Sequence, residues 1–89
     1  MHDITEPIRR VEVAAINSSV ESDDKASEKT RLEGIYGQGN VWDRDGLSER
    51  FEVIGFMAPY CVVKDRKTGK KGSVQFQHDP RLYFNYVED

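Results

Sequence analysis

All nine aromatic residues of this 89-residue chain (Tyr36, Trp42, Phe51, Phe56, Tyr60, Phe76, Tyr83, Phe84 and Tyr86) lie after Gly34. Aromatic side chains bury roughly 150–250 Å² each and dominate the energetics of a small core. The folded unit is therefore expected over residues 34–89, as one small domain. The stretch Asn17 to Glu33, NSSVESDDKASEKTRLE, has only Val20, Ala26 and Leu32 as apolar residues. Such a segment buries too little to offset its ordering entropy. Residues 1–33 are accordingly read as an acidic, flexible, largely disordered N-terminal segment. Within it, Asp24 is placed to cap a short helix running through Lys29 to Leu32. The first sixteen residues fit a helical stripe (Ile4, Ile8, Val11, Ala15, with Thr5 capping and Pro7 in the first turn), a strand at Val11–Val13, or a frayed tail.

From Gly34 onward the pattern is β. Gly34, Gly37, Gly39 and Asn40 form a loop, and Asp43 or Asp45 caps a helical turn with Leu47 and Phe51 four apart on one face. Glu52 to Met57 is apolar on both faces, which reads as a central or doubly covered strand. Pro59 bends the chain, Tyr60 to Val63 continues as a strand, and 65–70 is a hairpin loop with Gly69 at its left-handed position. Ser73 to Gln77 alternates, with Val74 and Phe76 inward. After a turn at Asp79-Pro80, Leu82, Phe84 and Tyr86 alternate with Arg81, Tyr83 and Asn85, the latter set facing out. The fold expected is mainly β, with α+β as the variant: a small antiparallel meander or an SH3-like barrel with one helical turn.

The function classes narrow by elimination. The net charge of -3 gives no general attraction to nucleic acid or anionic membrane. No apolar run approaches the ~20 residues of a membrane span, and no secretory leader opens the sequence, so a cytoplasmic protein is expected. A single cysteine, Cys61, forms no internal disulfide. Asp43-Arg44-Asp45-Gly46 with Glu52 resembles the spacing of a calcium loop, but Val41 stands where the first carboxylate belongs. A helix cap is the better reading, and no metal or other cofactor is expected. His78 is a candidate base and Cys61 a candidate nucleophile, yet an apolar strand makes Cys61 a core thiol. The glycines at 34, 37 and 39 lack the Lys and Ser/Thr of a phosphate loop. The chain is not expected to be an enzyme.

Two binding readings remain. Lys64, Arg66, Lys67, Lys70 and Lys71 place five cations in eight residues, opposed only by Asp65. With Arg81 and an outward Tyr83 on the same sheet, they form a candidate surface for single-stranded nucleic acid. Residues 34–89 nevertheless carry eight acidic and eight basic side chains, and lysine-rich hairpin tips also serve to prevent aggregation. The favoured reading is a non-catalytic interaction module, docking another protein or a second copy through Tyr36, Trp42, Tyr60 and Tyr83.

Overall fold

The structure, a computed structural model, describes residues 6–89. Three helices and five strands run α1 (Glu6–Ser18), α2 (Lys25–Tyr36), β1 (Val41–Trp42), α3 (Arg44–Arg50), β2 (Phe51–Met57), β3 (Tyr60–Asp65), β4 (Lys71–Gln77) and β5 (Leu82–Glu88). All five strands belong to one antiparallel sheet of order β1-β5-β4-β3-β2. The class is thus α+β rather than mainly β. β2 to β5 form the expected meander, and β1 returns to lie beside β5. β1 and β2 are separate edges, so the sheet is open and does not close into a barrel. Among the described residues, no helix is long and apolar enough to cross a membrane.

The segment read as a linker carries helix. Asp24 caps α2 as expected, its carboxylate accepting from the Ser27 amide, but the helix continues across position 34 to Tyr36. One buried apolar residue, Leu32, docks it, and burying a leucine contributes roughly 1.5–3 kcal/mol. Further hold comes from the Tyr36 ring packed on the same cluster and from a polar tie that composition does not reveal. Glu28 is 1% exposed and accepts from Arg31 at two positions, both 2.8 Å, and from Gln77 Nε2 at 3.1 Å. α1 realises the helical reading of its segment, while Ile4 and the Thr5 cap lie outside the described residues. It is fastened by the Tyr60 hydroxyl donating to Glu12 (2.7 Å) and the His78 backbone amide donating to the Asn17 side chain (2.9 Å).

Two apolar clusters flank the sheet. On the α3 face, Leu47 packs with Phe51, Cys61, Val63, Val74, Phe76 and Tyr83. On the α2 face, Leu32 packs with Val41, Leu82 and Phe84, joined by Ile16 and Tyr36. β5 is therefore covered on both faces, which corrects the expectation that Tyr83 faces out; it is 2% exposed. Asn85 has φ +56. There Asn85 and Tyr86 together span Val74, since Ser73 pairs Val87 while Gln75 pairs Phe84. This bulge turns Tyr86 to the α3 face, where its ring meets Phe51 at 4.8 Å.

Candidate protein-binding edge

β2 reverses the sequence reading most sharply. It is the sheet edge, hydrogen-bonded to β3 alone among the described strands. Its first residue, Phe51, is fully buried, but exposure then rises: Val53 38%, Ile54 49%, Phe56 57% and Met57 51%. The cause is geometric. α3 ends at Arg50, where β2 begins, and α1 crosses the opposite face nearer β4. Ile54 is a bulge residue, because Val53 pairs Val63 and Gly55 pairs Val62. Edge strands are usually guarded by lysine, proline or inward charge. Within β2 the only charged residue is Glu52, and the bulge is the only other guard. Seven residues span roughly 23 Å, long enough for a further strand to pair.

At the far end of β2, Phe56 joins a cluster around Arg81. The guanidinium carbon lies 5.5 Å from the Phe56 ring centre, 4.9 Å from Phe76 and 5.7 Å from Tyr83. Phe56 and Phe76 meet edge to face at 5.7 Å, and His78 sits edge-on to Phe76 at 5.5 Å. Such contacts are worth ~0.5–1 kcal/mol at exposed sites and hold the Phe56 ring in place. Burial raises the Tyr83 hydroxyl pKa, with Arg81 opposing. Burial likewise raises the Cys61 thiol pKa, the wrong direction for a nucleophile. Asp43 is the N-cap of α3, accepting from the Gly46 amide at 2.7 Å and pairing with Lys25 at 3.1 Å. Those bonds, the Gly46 amide first, lower its pKa.

The basic hairpin forms where expected, with Gly69 at φ +73. Its charges are partly engaged. Buried Asp65 accepts from the Lys67 and Thr68 amides (2.8 and 3.3 Å), which lower its pKa. Arg66 donates to the Ser48 carbonyl at 2.9 Å, Lys70 pairs with Glu88 at 3.2 Å, and Lys64 stands between Glu52 and Lys71 in the ladder. Lys67 and Lys71 are exposed. Arg81 lies at the opposite end of β4, roughly 20 Å away along seven residues. Neither it nor buried Tyr83 joins the hairpin, so the stacking platform of the nucleic-acid reading is not assembled.

The other three aromatics are half-buried. Tyr36 stacks on Phe84 at 5.0 Å, Trp42 meets Phe51 edge-on at 5.2 Å, and Tyr60 donates to Glu12. Val11, Ile35 and Val87 are exposed singly on α1, α2 and β5, whereas β2 carries a run of exposed apolar residues, Val53, Ile54, Phe56 and Met57. The run was visible in the sequence, but its position at the edge was not. No protein-family model matches this chain, and no curated protein and no solved structure is significantly similar to it.

Proposed function

We propose that the chain is a non-catalytic interaction module that works by strand pairing on β2, and that the partner its residues fit is a second copy of itself. The observation that carries this reading is the uncovered edge strand with four half-exposed apolar side chains. Pairing two β2 strands antiparallel about a two-fold axis keeps like faces together when Val53 stands opposite Phe56 of the second copy and Glu52 opposite its Met57. Val53 and Phe56 both lie on the α3 face, beside Val63 and Cys61, while Glu52 and Met57 lie on the other, beside Lys64 and Tyr60. In this register no like charges meet. Glu52 of each copy comes beside the Ala58 carbonyl of the other, where the Arg9 guanidinium is anchored at 3.3 Å. Opposite charges thus close both ends of the seam.

Covering the four half-exposed apolar side chains of each copy and pairing the outer backbone groups of β2 are the gains that offset the cost of association, and a seam this small holds a weak dimer. Sedimentation velocity over a concentration series tests it. The expected result is a mass rising toward two chains, abolished by Ile54→Lys, which sets two cations diagonally across the two-fold axis at the centre of the seam, each opposite Gly55 of the other copy. Ile54 is half-exposed, so the variant keeps its fold. A wild-type mass that stays at one chain at about millimolar concentration sinks the proposal.

A further inference from the structure

We propose that a notch on the opposite side of the sheet binds a small planar aromatic carboxylate. β1 pairs only with Tyr83 and Phe84, so among the described residues no strand covers the outer edge of β5 from Asn85 onward. The space left there is about 160 Å³. That is the size that accommodates a single six-membered ring, since a cavity of about 150 Å³ holds benzene. Its walls include Tyr36, Trp42 and Tyr86, with the fully buried Phe51 behind them. Each ring is braced from behind or beside: Tyr36 by Phe84, Trp42 and Tyr86 by Phe51. The exposed ring edges are therefore in place before a ligand arrives, and edge-on ring contacts are available beside a polar rim.

The polar end of the notch is Arg50. Its guanidinium lies over the Phe51 ring at 5.5 Å and reaches Asp65 at a long 3.5 Å. Asp65 already accepts two backbone amides, at 2.8 and 3.3 Å, and does not line the notch. Arg50, with 45% of its side chain exposed, thus has donors to turn toward a ligand, and its planar fork matches a carboxylate. A ring between the aromatic walls with its carboxylate on Arg50 uses both features at once; a cationic ligand would meet the guanidinium with like charge. Asn40 and Asn85 complete the rim. The left-handed backbone of Asn85 belongs to the bulge that brings the Tyr86 ring to this wall. This inference stands apart from the β2 reading, because none of the four half-exposed β2 side chains of that seam (Val53, Ile54, Phe56, Met57) lines the notch.

Benzoate is the probe. Trp42, the only tryptophan, gives a single indole N–H signal in a ¹H–¹⁵N spectrum of the full chain. Titration with benzoate is expected to shift that signal and the Asn40 and Asn85 side-chain amides along one saturable curve. Benzyl alcohol, with the ring but no charge, and acetate, with the charge but no ring, are each expected to bind about tenfold more weakly or worse. Arg50→Gln is expected to weaken benzoate about tenfold and to leave benzyl alcohol unchanged. Absence of a saturable shift at Trp42, shifts confined to other residues, or acetate binding as well as benzoate would each overturn the proposal. So would a folded Arg50→Gln protein that binds benzoate as the wild type does. If that variant loses its fold, the three wild-type titrations still decide the matter.

Discussion

Glu28 offers the sharpest test of how α2 is held to the sheet. Its carboxylate is closed off from water and bound by the Arg31 guanidinium at two points of 2.8 Å and by the Gln77 amide at 3.1 Å. The Arg31 hydrogen bonds are the largest cause that lowers its pKa from 4.5 to about 2, with burial opposing and Gln77 reinforcing. A carboxyl whose pKa is depressed in the fold contributes stability that is fully present above its unfolded value. That stability is lost as pH falls from about 4.5 toward about 2. At about 1.4 kcal/mol per pH unit the shift corresponds to roughly 3 kcal/mol, and about 2 kcal/mol after allowing for solvent at the partly exposed guanidinium. Glu28→Gln keeps the shape and removes the charge. It is expected to cost about 2 kcal/mol near neutrality, read by urea unfolding with Trp42 fluorescence. Asp24, Asp43 and Asp65 are also depressed, so acid weakens both proteins. The informative quantity is the gap between them, which should close toward zero near pH 2. A gap of the same size at both ends of the range, or none near neutrality, would show that the Glu28 charge is not what docks the helix.

Two further expectations follow from the packing. A Cβ added at Gly72 would stand 2.6 Å from the Tyr86 ring and 2.5 Å from the Val87 carbonyl oxygen, so Gly72→Ala must push β5 aside. A loss of about 1–3 kcal/mol in thermal unfolding is expected, with a changed near-ultraviolet signal from the Tyr86–Phe51–Trp42 stack; an unchanged midpoint refutes the contact. Cys61 is fully buried with its thiol pKa raised by burial. Its reaction with an aromatic disulfide should run at least about a thousandfold slower in the native protein than in urea, and comparable rates would place the thiol at the surface.

How much the sequence reveals depends on what each element is held by. β4 was legible because it alternates, with Val74 and Phe76 buried and Ser73 and Gln75 less so, while Gln77, polar and expected outward, is fully buried against Glu28. The α3 turn was legible because Asp43 is a good cap and Leu47 and Phe51 reach the core together. α2 was legible only at its Asp24 cap, because what docks it to the sheet is Leu32, the Tyr36 ring and the Glu28 carboxylate, whose Gln77 partner is 49 residues away. A two-residue strand such as β1 leaves no periodic signal at all. Tyr83 was misplaced by assuming that only one face of β5 is covered, when Leu47 and Leu32 cover opposite faces.

β2 failed for a different reason. A strand apolar on both faces asks to be covered on both faces and flanked on both edges, and local sequence does not say which neighbour supplies the cover. Among the described residues β2 has one neighbour, β3, and its apolar side chains from Val53 to Met57 stand half in water. In the pair proposed above, β2 becomes an inner strand of a sheet of two copies, and each residue from Glu52 to Met57 gains a cross-strand partner. The mismatch between a sequence suited to a sheet centre and a position at a sheet edge is itself the physical argument for association. A chain selected to remain single would relieve it with one lysine at Ile54, which is why that substitution carries the test.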